Sequence, residues 1–125
     1  MAPIRVLVCD DVEAFRALMR YTLQEDPGIE VVGEAADGMA ANDAADRLQP
    51  DVVLLDLTMP VLDGIDAIAT VLERAPGTRV VALSGWGAER MAQAALEQGA
   101  VAYVEKTDDV QAIRAAVREA AQPTV

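Results

Sequence analysis

Three stretches of the chain, Ile4 to Cys9, Val52 to Leu57 and Arg79 to Ser84, are rich in β-branched residues and show little polar/apolar alternation. That pattern predicts strands covered on both faces, as in a parallel sheet. Glu30 to Ala35 and Val101 to Val104 predict two more strands with a fainter signal. Between these stretches the apolar period lengthens to that of a helix. The first stripe is Phe15, Leu18, Met19, Thr22 and Leu23; the second is Ala40, Ala41, Ala44, Ala45 and Leu48. Three shorter stripes follow: Ile65, Ile68 and Leu72; Met91, Ala95 and Leu96; Val110, Ile113 and Val117.

Turn formers fall between the stripes. Pro27-Gly28 and Pro76-Gly77 close the first and third helices, Pro50 follows the second, and Gly99 stands where a glycine ends the fourth. Asp37 and Thr107 are placed as N-caps, and Asp63-Gly64 as the turn into the third helix. Asp108 and Asp109 suit the first turn of the fifth. Five strand-then-helix units joined by right-handed crossovers predict a doubly wound α/β sheet with helices on both faces. No composition shift or repeat divides residues 1–125, so one domain is expected.

Composition narrows the chemistry. The chain has 53% hydrophobic residues but only 3% aromatic ones, so the core must be built from aliphatic side chains and alanine. Asp and Glu number 21 against 10 Lys and Arg, for a formal net charge of −11. A pI near 4.2 argues against direct binding to nucleic acid or to an anionic membrane. There is no histidine, which excludes His-based zinc sites, Ser-His-Asp hydrolysis and histidine autophosphorylation. The single cysteine, Cys9, has no internal disulfide partner and reads as a small buried apolar residue. No long apolar stretch or signal-peptide pattern is present, and a cytoplasmic location is expected.

In an open α/β sheet, ligands bind beyond the carboxyl ends of the strands. Strand one runs into Asp10-Asp11, strand three into Asp56, strand four into Ser84 and strand five into Lys106, the only lysine. Carboxylates about 4 Å apart repel by about 4 kcal/mol per pair at an effective dielectric near 20, so such a cluster calls for a cation or a proton. Oxygen ligands without His or Cys point to a hard ion, most naturally Mg²⁺. With Mg²⁺ bound, one carboxylate can attack a phosphoryl group while the Lys106 ammonium and the Ser84 hydroxyl stabilise its oxygens. The product is an aspartyl phosphate.

At these residues the chain resembles the receiver domains of bacterial two-component response regulators. The resemblance spans almost the whole chain: Asp10-Asp11 after strand one, LLDLTMPVLDG with Asp56 at the phosphoacceptor position, Ser84 at the hydroxyl position, and Lys106 after strand five. It implies a flavodoxin-like (βα)₅ fold with strand order 2-1-3-4-5. It also implies a sensor histidine kinase as phosphoryl donor, Mg²⁺ held by Asp10, Asp56 and the Thr58 backbone carbonyl with Asp11 assisting, and Tyr103 as an aromatic switch that follows Ser84. The stretch GAVAYVEKTDD, with Thr107 where the family often has proline after a cis bond, looks more like the NarL/LuxR-type subfamily. That likeness implies transcriptional control through a DNA-binding domain or another protein outside this chain, and allows a phosphorylation-dependent dimer. The surface of helix four, strand five and helix five is expected to change on phosphorylation.

Plainer readings stand beside these. Asp10 and Asp11 could cap the first helix, Asp56 could be a turn residue before Pro60, and Tyr103 could be a packed strand residue. Trp86, near the rim, would shield the acyl phosphate or contact a partner. Three other functions use a similar fold: an aspartyl-nucleophile phosphatase, a flavin or nucleotide carrier, and a receiver-like scaffold that is never phosphorylated. Thr58 stands where such a phosphatase needs a second acid, and two aspartates after strand one would repel a bound phosphate.

Overall fold

The computed structural model describes residues 2–58, 64–85, 89–106 and 109–122. Pro60, Asp63, Trp86, Thr107 and Asp108 lie outside them, and with them the expectations for Trp86, for the Asp63 turn and for the bond between Lys106 and Thr107.

The elements alternate without exception: β1 (Ile4–Cys9), α1 (Glu13–Gln24), β2 (Ile29–Ala35), α2 (Gly38–Leu48), β3 (Val52–Asp56), α3 (Gly64–Arg74), β4 (Arg79–Ser84), α4 (Glu89–Glu97), β5 (Ala102–Glu105) and α5 (Val110–Ala120). All strand pairs are parallel, in the order β2-β1-β3-β4-β5. This is the flavodoxin-like arrangement expected.

Side-chain alternation along the strands divides the core into two layers. Leu7, Cys9, Val53 and Leu55 face α2, α3 and α4, where they meet Ala41, Ala45, Ile68 and Val71. Val6, Val8, Val52 and Leu54 face α1 and α5, where they meet Met19, Leu23, Ile113 and Val117. The many alanines of α2 bring that helix close to the sheet. Gly33 on β2 does the same for Leu48, since a Cβ there would lie 2.7 Å from the Leu48 Cδ1 atom.

Several boundaries differ from expectation. β3 ends at Asp56, so Leu57 begins the turn, and β5 runs from Ala102 instead of Val101. The N-cap of α5 is Asp109, whose carboxylate accepts from Gln111 N–H at 3.1 Å, where Thr107 had been expected. Asp109 therefore precedes the first turn of the helix. Asp37 does cap α2, accepting from Ala40 N–H at 2.8 Å. Leu18 and Leu96 belong to their helical stripes yet are 47% and 48% exposed, lying at the flank of each stripe. Gly99 closes α4 with φ +116°, and the paired bonds from Gly99 N–H to Leu96 and from Ala100 N–H to Ala95 complete a Schellman turn.

Candidate functional site

Continued main-chain pairing carries the chain past the strand ends on the carboxyl rim. Asp10 N–H donates to the Ala35 carbonyl at 2.9 Å, and Lys106 N–H donates to the Ser84 carbonyl at 2.8 Å. The rim residues thus start from fixed points of the sheet.

Asp10 and Asp56 are fully buried, while Asp11 is exposed. Carboxylate oxygens of the three lie within 4.8 Å of one another. Lys106 bridges the two buried acids, its Nζ 2.5 Å from Asp10 Oδ2 and 3.0 Å from Asp56 Oδ2. The other oxygen of each acid is held by backbone. Asp10 Oδ1 accepts from Val12 N–H at 2.8 Å, and Asp56 Oδ1 accepts from Thr58 N–H at 3.0 Å and from the Thr58 hydroxyl at 2.8 Å. Neither aspartate after β1 is the N-cap of α1; that position belongs to Val12, which offers no side-chain cap.

Burial is the largest influence on Asp10 and holds its pKa above the ordinary carboxylate value, although hydrogen bonds from Lys106 and Val12 pull the other way. For Lys106, burial works downward, but the bonds to Asp10 and Asp56 outweigh it and the net pKa is raised. Lys106 therefore stays an ammonium. Burial, followed by the neighbouring Asp10 charge, pushes the Cys9 thiol far above its usual range, consistent with an inert core residue.

The acids fit a hard divalent cation. Asp10 is buried, and among the described residues its Oδ2 is paired with the Lys106 ammonium at 2.5 Å. A single amine balances three carboxylates, and every donor is an oxygen. Such a site can hold Mg²⁺ and present a fixed carboxylate to an electrophile.

Ser84 is buried at the end of β4, with its hydroxyl donating to the Gly85 carbonyl at 3.2 Å; it joins Lys106 through the main chain. Tyr103 is half-buried on β5 and packs against the core layer under α4. Three contributions went unforeseen. The Thr58 side chain, not only its backbone, engages Asp56. Arg16 donates to the Asp10 carbonyl at 2.6 Å and to Glu34 at 3.1 Å, pinning the start of α1 to the rim. Phe15 sets its ring beneath the Lys106 ammonium, 4.8 Å from Nζ to the centroid. Phe15 was legible only as a core position of a helical stripe.

The chain is similar to known proteins in both sequence and fold. Residues 6–118 match the family described as response regulator receiver domain. The chain is 45% identical over 107 residues to protein-glutamate methylesterase/protein-glutamine glutaminase 5 of Myxococcus xanthus, covering 85% of this chain and 31% of that protein. It is 43% identical over 115 residues to protein-glutamate methylesterase/protein-glutamine glutaminase 1 of Geobacter sulfurreducens, covering 89% and 32%. The chain spans about a third of the length of these curated relatives. Among solved structures it is similar to the response regulator domain of Thermotoga maritima CheB, with TM-score 0.90, 31% identity and coverage of 98% and 99% of the two chains. It is equally similar to the signal receiver domain of NarL from Mycobacterium tuberculosis, with TM-score 0.91, 36% identity and coverage of 97% and 98%. CheB-type and NarL-type receivers match alike, so the likeness identifies the family and not the NarL/LuxR subfamily. With the five parallel strands and the match over residues 6–118, the chain belongs to the CheY-like receiver domains of two-component response regulators.

Proposed function

We propose that the chain is a phosphoryl switch in which Asp56 accepts a phosphoryl group from the phosphohistidine of a sensor kinase. The observation that carries this reading is the Lys106 ammonium joining two fully buried carboxylates, one of them at the end of the central strand. The donor P–N bond breaks as a P–O bond forms to an Asp56 oxygen, and the imidazole keeps the electron pair. Asp10, Asp56 and the Thr58 backbone carbonyl would hold Mg²⁺, with Asp11 assisting; the ion supplies positive charge that offsets the acids and the phosphoryl oxygens.

The protein groups divide the remaining work. Thr58 holds Asp56 Oδ1 with two donors and so fixes the carboxylate plane. Lys106 lies on Oδ2, from which it can pass to a phosphoryl oxygen. The Ser84 hydroxyl, which among the described residues is held by a 3.2 Å bond to its neighbour's carbonyl, is able to turn toward the same group. Its movement would draw Tyr103 inward and alter the surface of α4, β5 and α5. Incubation with Mg²⁺ and acetyl phosphate, followed by intact mass measurement, tests the chemistry. One added phosphoryl group, absent in Asp56→Asn, is expected; none, or one that survives the substitution, refutes it.

Two outputs have support. The 36% likeness to a NarL receiver favours transcriptional control, and the relatives at 43–45% identity carry the name of a methylesterase/glutaminase. In either case the catalytic or DNA-binding part would lie outside residues 1–125, and the receiver would act by regulating it. Reading the natural coding frame beyond Val125 separates the two: a helix-turn-helix supports the first, an esterase domain the second.

A further inference from the structure

We propose that Phe15 is a positioning residue for Lys106, its ring holding the ammonium directed at the Asp10 and Asp56 carboxylates. The only phenylalanine of the chain lies against its only lysine. The ammonium has carboxylates at 2.5 and 3.0 Å and an aromatic face at 4.8 Å from Nζ to the ring centroid, so three separate elements constrain it. A ring face carries negative electrostatic potential and attracts a cation without competing as a hydrogen-bond acceptor. It can therefore steady the amine while leaving its N–H donors to the acids and to an arriving phosphoryl oxygen.

The ring itself stands on a fixed base. Phe15 N–H bonds to the Val12 carbonyl at 3.1 Å, and the next residue, Arg16, is tied to the Asp10 carbonyl and to Glu34. The first turn of α1 is thus tethered to the strand that supplies Asp10. A helix shift that moved Phe15 would have to break those bonds as well. The inference rests on the reading of Lys106 as a partner of the phosphoryl group, but the contact can be observed without any phosphorylation.

Because Lys106 is the sole lysine, the intact chain grown with lysine enriched in ¹³C at Cε gives one ¹³Cε–Hε signal. The ring current of Phe15 is expected to move that signal upfield. In Phe15→Leu it should return toward the free-lysine position, and in Phe15→Tyr it should stay displaced; Phe15→Met is the second ringless variant if Phe15→Leu does not fold. In parallel, phosphorylation by acetyl phosphate with Mg²⁺ should slow by about threefold to thirtyfold in the ringless variants and recover in Phe15→Tyr. An undisplaced Lys106 signal in the parent protein overturns the contact. A displaced signal with unchanged rates in the ringless variants overturns the positioning role. A displaced signal with no phosphorylation of the parent overturns the functional reading instead, and the role of Phe15 in the reaction with it.

Discussion

Replacing Lys106 by methionine removes the one cation shared by two buried carboxylates while keeping a side chain of similar length. At an effective dielectric near 20, attractions at 2.5 and 3.0 Å are worth about 7 and about 6 kcal/mol before desolvation is set against them. Desolvation offsets most of this, and breaking a buried pair typically costs about 3–5 kcal/mol net. The Lys106 side chain is 20% exposed, which places the expected loss at the lower end, about 3 kcal/mol. With an unfolding entropy near 2.1 cal/mol/K per residue, a 125-residue chain should then melt about 11 °C lower. The second half of the prediction concerns metal. The ammonium and Mg²⁺ compete for the same oxygens, so Lys106→Met should bind the ion more tightly, and each tenfold gain adds about 1.4 kcal/mol at saturating ion. Thermal melts of both proteins with and without Mg²⁺ supply the measurement. A variant that melts at or above the parent without Mg²⁺, or gains less from the ion than the parent does, would refute the reasoning.

Other outcomes follow from single contacts. Because burial holds the Asp10 pKa above its ordinary value near 3.8, the folded state retains that proton more tightly than the unfolded chain. The resulting stability is complete below that ordinary value and is lost as pH rises through the elevated folded value; urea midpoints across this range should fall less steeply in Asp10→Asn. That variant should also lose most of the Mg²⁺-dependent rise in melting temperature. Asp37→Ala removes the carboxylate that accepts from Ala40 N–H, and should cost about 1 kcal/mol in urea unfolding. Gly99→Ala places a Cβ 2.6 Å from the Leu72 Cδ1 atom at φ +116°, and a loss of about 2 kcal/mol is expected; no loss would mean that the Schellman turn can be rebuilt without glycine.

How far the sequence could be read depended on solvent exposure. β1, β3 and β4 are interior strands with buried faces on both sides, so their apolar runs were plain. β2 and β5 are the sheet edges; β2 alternates with exposed Glu30 and Glu34, and only Val104 of β5 is buried, which weakened their signals. Leu18 and Leu96 misled because a helical period marks a sector, and only packing tells where that sector ends. Thr107 and Asp109 are both short polar residues that can cap a helix, so residue type alone could not choose between them. At the site, the rule that ligands gather beyond strand ends located Asp10, Asp56, Ser84 and Lys106, because each sits where a recognisable apolar run stops. Phe15 and the Thr58 hydroxyl left no comparable trace. Their contacts depend on where α1 and the β3 turn come to rest against side chains from other elements, and that is a matter of tertiary packing.

The strand order also determines when the site can exist during synthesis. Asp10, Asp11 and Asp56 are made early, whereas the amine that balances them comes from the end of β5, at residue 106 of 125. Until β5 docks against β4, a growing chain that has already paired β2, β1 and β3 carries its acids together without their counter-charge. Their repulsion then opposes closure of the rim, and the last strand to arrive brings the group that relieves it. A chain that lacks β5 therefore presents Asp10, Asp11 and Asp56 without the Lys106 ammonium, and the completed sheet is what brings the acids and their amine together.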